Sequence, residues 1–250
     1  MEHAGRQVLI TGGGGGLGRV LAEDFAKAGA KVHVAGRRTA PITALADRHE
    51  SISGHQLDVT DEAATAALFD SIGMCDIVIA NAGIAESAPL HSTSLAQWQR
   101  IISVNLTGCF LTLRGGLQKM REAKADWGRL IAISSINGLA GYRYTAAYSA
   151  SKHGVNGLVR TTAAELAGSG ITANALCPGY LNTEMTERTV ANIVRRSGIT
   201  TEEAYRVLAD MSPLGRLITT QEVSTAALQL CNAASGSVNG QTIAINGEDI

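Results

Sequence analysis

The chain predicts an α/β protein built on one doubly wound parallel sheet with helices on both faces. Three observations predict it. Short β-rich runs alternate with longer stretches of helical spacing, and strands joined through helices pair in parallel by right-handed crossovers. The strand runs are nearly continuously apolar, as a sheet covered on both faces requires. The length of 250 residues suffices for one large core, so a single domain over 1–250 is expected.

The elements follow in order. Residues 7–11 form an apolar run that ends in a glycine-rich turn. Residues 17–28 place Leu17, Leu21, Phe25 and Ala28 at helical spacing and stop at Gly29, a natural C-cap. A second strand is expected over 31–35, a helix over 40–49, a short strand over 54–58 and a helix over 62–71. The run 76–80 is a buried strand that ends at Asn81-Ala82-Gly83. One long helix is expected over 94–120, a fifth strand over 129–134, a fifth helix over 147–167 and a sixth strand over 172–177. A helix over 220–230 and a last strand over 242–245 complete the series. The polar stretch 179–213 is predicted to hold two short helices. Ligands of such sheets sit beyond the carboxyl ends of the strands; an insertion after the sixth strand lies at that edge, so about 180–213 is a candidate lid.

Composition narrows the function. With 21 Lys and Arg against 22 Asp and Glu the net charge is −1, which gives no electrostatic case for nucleic acid or an anionic membrane. No apolar run approaches the roughly 18 residues that span a bilayer, and no charged-then-apolar leader precedes the first strand. A cytoplasmic protein is expected. Cys75, Cys109, Cys177 and Cys231 form no CxxC pair, and the six histidines form no HExxH or HxH cluster. The cysteines are expected as packed thiols, and no metal site is expected.

The run Thr11-Gly12-Gly13-Gly14-Gly15-Gly16-Leu17-Gly18 lies between a strand and a helix. Glycines allow positive φ and close approach to a pyrophosphate, and the next helix offers free N–H groups and the positive end of its dipole. The alternative is a tight turn alone; the strand-and-helix context favours a dinucleotide site. The run fits TGxxxGxG through Gly12, Gly16 and Gly18, and equally TGxxGxxG through Gly12, Gly15 and Gly18. A carboxylate roughly 20 residues on usually binds the ribose 2′-hydroxyl. Here Gly36 stands at that place, followed by Arg37 and Arg38. Glycine removes a charge that would repel a 2′-phosphate, and arginine pairs with phosphate through two N–H groups. NADP(H) is therefore the expected cofactor, with NAD(H) possible if both arginines are only solvated loop residues.

Tyr148 and Lys152 stand at i and i+4 on one helix face. A free phenol titrates near 10, and bringing it near 7 requires roughly 4 kcal/mol of preferential phenolate stabilisation. A neighbouring ammonium and an oxidised nicotinamide could supply it. Such a phenol gives its proton to a carbonyl oxygen, or takes one from an alcohol. Ser135, at the end of the fifth strand, places a hydroxyl where it could orient the substrate oxygen; Ser134, by strand alternation, points the other way. Asn105 sits within the predicted long helix, where asparagine is a poor helix former, so either a functional role or a local backbone bond accounts for it.

Taken together, Thr11–Gly18, Asp58, Asn81-Ala82-Gly83, Asn105, Ser135, Tyr148, Lys152 and Pro178-Gly179 followed by Thr183 resemble the short-chain dehydrogenase/reductase family along essentially the whole chain. Each motif alone is common; the set is specific. The resemblance implies the Rossmann-type version of the sheet, and the length fits the compact branch with TGxxxGxG. It implies a catalytic tetrad of Asn105, Ser135, Tyr148 and Lys152, in which Asn105 holds a water that relays protons to Lys152, and Lys152 also binds the nicotinamide ribose. The implied cofactor residues are Gly12, Gly14, Gly15, Gly16, Leu17 and Gly18, then Arg37 and Arg38, Asp58 and Val59 at the adenine, Asn81, Ala82 and Gly83 along the cleft, and Pro178, Gly179 and Thr183 at the carboxamide. It implies a homotetramer through the fourth and fifth helices and the last strand. Two departures stand out: Ala80-Asn81 replaces a doubled asparagine, and Asn246-Gly247-Glu248 lacks a second glycine.

The substrate pocket is expected from 84–91, 136–144 and 179–213. Tyr142 and Tyr144 either line an apolar channel or anchor at the surface, and Arg143 either meets an anionic group or is solvated. The texture of 85–99 and 188–205 resembles reductases of β-oxoacyl thioesters and hydroxyacyl-CoA dehydrogenases, so a 3-oxoacyl/3-hydroxyacyl thioester pair is expected. The alternatives are a free alcohol, sugar or cyclic ketone, and a nucleotide sensor without turnover. The intact Ser135, Tyr148 and Lys152 argue against the sensor.

Overall fold

A computed structural model describes residues 2–247; Glu248, the last residue of the second departure, lies outside them. Seven strands form one parallel sheet: β1 (Gln7–Thr11), β2 (Lys31–Gly36), β3 (Ile52–Gln56), β4 (Ile77–Ala80), β5 (Gly128–Ile133), β6 (Ile171–Pro178) and β7 (Thr242–Ile245). Their spatial order is β3-β2-β1-β4-β5-β6-β7. The order reverses between β1 and β4, where the register pairs Val8 with Ile77 and Ile10 with Ile79. In doubly wound sheets the ligand crevice opens at that reversal.

The helices are α1 (Gly16–Lys27), α2 (Thr39–Ala46), α3 (Glu62–Ile72), α4 (Leu95–Ile102), α5 (Gly108–Glu122), α6 (Ala146–Glu165), α7 (Glu184–Ser197), α8 (Thr201–Asp210) and α9 (Thr220–Leu230). The period of two along each strand sends alternate residues to two cores. Val8, Ile10, Val32, Val34, Ile77, Ile79 and Ile131 meet Leu21 and Phe25 of α1 and Val223 and Ala227 of α9. Leu9, Ala35, Val78, Leu130, Ala132 and Ala175 meet Phe69 of α3, Leu113 and Met120 of α5, and Val155 and Val159 of α6. Fully buried aliphatic side chains of this kind each contribute roughly 1.5–3 kcal/mol. All four cysteines are buried and reduced.

Two sequence expectations change. Strand and helix ends shift by one to three residues, as at β3, where Ile52 rather than Gly54 opens the strand because it reaches the core. The predicted helix over 94–120 is interrupted. A wide turn over Ser103–Thr107, with i to i+5 hydrogen bonding, separates α4 from α5. Such turns insert one extra residue into a helix, and Asn105 lies at its centre.

The stretch 179–213 does hold two helices. Val190 of α7 packs against Ala204 and Leu208 of α8, with Tyr180 and Tyr205 alongside, as a small core apart from the sheet. Capping explains where these helices begin: Thr200 and Glu203 form a reciprocal capping box at α8, as Thr219 and Glu222 do at α9.

Candidate active site

The site lies at the carboxyl ends of β1, β4, β5 and β6. After Thr11 the chain turns sharply: Gly12 and Gly13 both donate N–H bonds to Ala35 O, at 2.7 and 3.3 Å. Gly12 has φ of +69°, and a Cβ there would lie 2.9 Å from Ala82 Cα. Only glycine fits that conformation and that clearance. α1 begins at Gly16 with no side-chain cap and no acidic residue in its first turn. Its leading N–H groups therefore face the cleft without a protein acceptor, and the helix dipole adds positive potential there. Thr183, at the start of α7, also caps nothing with its side chain, and a Cβ on Gly16 would lie 3.5 Å from its methyl carbon. Two helix N-termini thus converge on the glycine turn. Open backbone, free donors and no carboxylate in the first turn of α1 fit the pyrophosphate of a dinucleotide.

Asn81 donates from Nδ2 to Thr11 O and Gly12 O, at 2.9 and 3.3 Å. Thr11 Oγ1 in return accepts the N–H groups of Asn81 and Ala82. The Asn81 side chain therefore builds the glycine turn, and Ala82 and Gly83 form the cleft wall beyond it. Asp58 accepts both the N–H and the hydroxyl of Thr60, at 3.0 and 2.8 Å. Those bonds, with Arg37 nearby, hold its carboxyl below the usual range. Val59 sends its side chain into the core, where a Cβ on Gly108 would meet it at 2.6 Å, so it offers the cleft only backbone. Arg37 and Arg38 are exposed at the end of β2. Arg38 reaches across the glycine turn to Glu184 of α7, at 3.5 Å. Gly179 donates its N–H to Ile245 O at 3.0 Å, seating Pro178 and Gly179 against β7.

The side chains expected to react converge from three elements. Lys152 is 5% exposed; its Nζ donates to Ile133 O at 2.8 Å and lies 5.7 Å from the Tyr148 ring centroid. Burial pushes its ammonium down to about 8, so at neutral pH it keeps its charge. Burial pushes the Tyr148 phenol up, and the Ser135 hydroxyl, placed to donate to the phenolate, pulls it down by less. Among the protein groups desolvation outweighs the pull of Ser135; the lowering expected from an ammonium and an oxidised nicotinamide together belongs to the cofactor-bound site. Ser134 turns the other way, as alternation predicts, and donates to Lys152 O at 3.3 Å.

Asn105 accepts from Ile84 N at 2.8 Å and donates to Ile84 O and Ser151 Oγ, at 2.9 and 3.1 Å. It ties the loop after β4 to α6. A Cβ on Gly83 would lie 3.4 Å from Asn105 Oδ1 and 3.8 Å from Lys152 Nζ, so the glycine leaves the space between these two side chains open. The whole predicted tetrad thus gathers around one cleft. Sequence reading missed Asn137, Ser151 and Tyr180. Burial, with the phenols of Tyr148 and Tyr142, raises the phenol of Tyr180. Of the expected pocket aromatics, Tyr144 is exposed with φ of +66°, and its carbonyl accepts Ala88 N at 2.8 Å, joining two pocket walls.

The family model for short chain dehydrogenase matches residues 6–193. The chain belongs to the short-chain dehydrogenase family. It is an oxidoreductase that interconverts a ketone and a secondary alcohol with NAD(P). Curated short-chain dehydrogenases resemble it over nearly their full length. It is 34% identical to the D-beta-hydroxybutyrate dehydrogenase of Rhizobium meliloti, over 97% of each chain. It is 32% identical to an acetoacetyl-CoA reductase of the same species, again over 97% of each. Among solved structures, a single-substitution variant of actinorhodin polyketide ketoreductase with NADPH superposes with a TM-score of 0.91 at 28% identity, covering 99% of this chain and 97% of that one. The resemblance to reductases of 3-oxoacyl substrates, expected from the texture of the chain, holds.

Proposed function

We propose that this short-chain dehydrogenase prefers NADP(H) and reduces a 3-oxoacyl thioester, or oxidises the matching 3-hydroxyacyl thioester. One observation carries the cofactor preference: β2 ends at Gly36 with Arg37 and Arg38 exposed beside the cleft and no carboxylate at the ribose position. The thioester reading is supported by the likeness to the acetoacetyl-CoA reductase. It is supported also by the apolar side chains that α7 and the segment after α8 leave exposed, Met185, Met211 and Leu214.

Gly12, Gly14, Gly15, Gly16, Leu17 and Gly18 would hold the pyrophosphate, Arg37 and Arg38 the 2′-phosphate, and Asp58 with the Val59 backbone the adenine. Asn81 would act through the turn it builds, with Ala82 and Gly83 as the cleft wall and Pro178, Gly179 and Thr183 at the carboxamide. When bound, the nicotinamide gives or takes a hydride at the carbonyl carbon. Tyr148 gives its proton to the substrate oxygen in reduction and takes it back in oxidation. Ser135 orients that oxygen and stabilises its developing charge. Lys152 holds positive charge beside the phenol and reaches the ribose, and Asn105 holds a water that returns protons to Lys152. The segment 180–213 acts as the lid of a single domain spanning 1–250.

Oxidation of NADPH and of NADH with acetoacetyl-CoA, and again with acetoacetate, tests the reading. Faster turnover with NADPH and the thioester is the expected result, and Arg37→Asp should swing preference toward NADH by about tenfold or more. Turnover with acetoacetate alone would favour the free-acid reading suggested by the hydroxybutyrate dehydrogenase likeness. An unchanged preference in Arg37→Asp would remove the arginine argument.

The assembly proposed is a cytoplasmic homotetramer through α4 and α5, α6 and β7. Leu95, Trp98 and Phe110 expose apolar surface on α4 and α5, with Arg114 stacked 4.9 Å above the Phe110 ring. The mass by light scattering should be four times 26.0 kDa; a monomer at micromolar concentration would end that proposal.

A further inference from the structure

Asn137, two residues past Ser135, is buried in the short turn over Ile136–Gly138, and its side-chain amide is oriented by a count of protons. Thr145 Oγ1 donates its one proton to Tyr142 O at 2.8 Å. In the 3.0 Å contact between Thr145 Oγ1 and Ser149 Oγ the donor must then be Ser149, since a hydroxyl has a single proton. Both hydroxyls have spent their protons and present only lone pairs to Asn137, whose Nδ2 donates to Thr145 Oγ1 at 3.0 Å and Ser149 Oγ at 3.2 Å. The amide cannot flip without setting an oxygen against those two acceptors. Its Oδ1 therefore faces Ser135, whose hydroxyl donates to it over 3.4 Å. Ser135 Oγ accepts the Asn137 backbone N–H at 3.2 Å, and its hydroxyl pulls the Tyr148 phenol down.

We propose that Asn137 is a positioning residue for the reaction. Its amide oxygen parks the Ser135 proton at rest, and the hydroxyl turns from Asn137 to donate to a carbonyl oxygen when one arrives. The parking bond is long, well beyond the usual 2.7–2.8 Å for a hydroxyl donor, so releasing the proton is easy. No proton is gained or lost: the Ser135 O–H rotates from Asn137 Oδ1 to the substrate oxygen, and Tyr148 gives its own proton to the same oxygen. In oxidation the order reverses. The inference rests on the reading that Ser135 and Tyr148 handle the substrate oxygen.

The test is a double-mutant cycle on the full chain, with acetoacetyl-CoA reduction as the rate and NADPH affinity and melting temperature as controls. Asn137→Ala should lower kcat roughly 5- to 10-fold, the worth of one neutral hydrogen bond, with the KM for NADPH unchanged. In a Ser135→Ala background the same change should cost nothing further, because the proton it parks is gone. Asn137→Asp places an anion next to the Ser135–Tyr148 pair. The Tyr148 phenol, which also faces Lys152, Tyr180 and Cys177, should then titrate higher. That shift is read without turnover, from tyrosinate absorbance after subtracting the Tyr148→Phe protein. A full rate in Asn137→Ala, an equal loss in the Ser135→Ala background, or an unmoved phenol in Asn137→Asp would each overturn the proposal. A full rate in Ser135→Ala alone would instead show that the underlying reading of Ser135 fails.

Discussion

Tyr148→Phe will lower kcat by about 10³-fold while leaving NADPH affinity within about threefold. The substitution removes one oxygen and keeps the ring that lies 5.7 Å from Lys152 Nζ, so the cleft keeps its shape. In the proposed mechanism the oxygen is the group that moves the proton, and positioned acid–base groups are worth roughly 10²–10⁴ in rate. Retention of more than about a tenth of the rate would show that another group carries the proton. The wild type should also be asymmetric in pH. Burial raises the phenol, so it is protonated and ready as an acid throughout the neutral range, and reduction should be flat there. Oxidation needs the phenolate, so its rate should climb with pH. Lys152, held at about 8, keeps the charge that supports the phenolate below that value and loses it above, so the climb should slacken in mildly alkaline solution.

Gly18→Ala will weaken cofactor binding at least about tenfold and lower the melting temperature. Two effects oppose each other here. Alanine favours a helix interior over glycine by about 1 kcal/mol, and Gly18 lies in the first turn of α1. Against that, its Cβ would lie 2.2 Å from Gly12 O and 2.7 Å from Asn81 Nδ2. The first of these is backbone that forms the cradle itself, so the turn must move, and sterics win. Gly157→Ala is the matched control. It lies inside α6 with φ in the ordinary range and open space around its Cβ within one protomer, so in a dissociated protomer the propensity acts alone and should add about 0.5–1 kcal/mol. A Gly18→Ala protein that binds NADPH as tightly as the wild type would contradict the close approach of α1 to the β1 turn.

Much of this is legible in the chain because the signals are local. Nearly continuous apolar runs mark the strands, the glycine run between strand and helix marks the cradle, and the i, i+4 spacing of Tyr148 and Lys152 puts both on one face of α6. The break in the helix over 94–120 escapes the sequence because the stretches on either side both read as helical and no proline separates them. Asn105 is the only sign of it, as a poor helix former in the middle of a helix. Asn137 is invisible for a different reason. Its role depends on Thr145 and Ser149 meeting it across a turn, and on which of three hydroxyl protons is already spent, which no spacing encodes. The phenol's environment is also out of reach, since desolvation depends on what surrounds Tyr148 in space.

The wide turn over Ser103–Thr107 has a consequence for how this segment tolerates change. An α-helix advances about 100° per residue, so one surplus residue rotates everything after it by that angle relative to an uninterrupted helix. Upstream, Ile101 meets the interior; downstream, Leu113 and Met120 do so too, and both sets point inward only because the surplus residue stands between them. Removing it would give a more regular rod that could satisfy one end of the segment or the other, but not both. Length here is thus under control as tight as identity: a one-residue deletion costs either the buried stripe of α5 or the grip of Asn105 on the loop after β4.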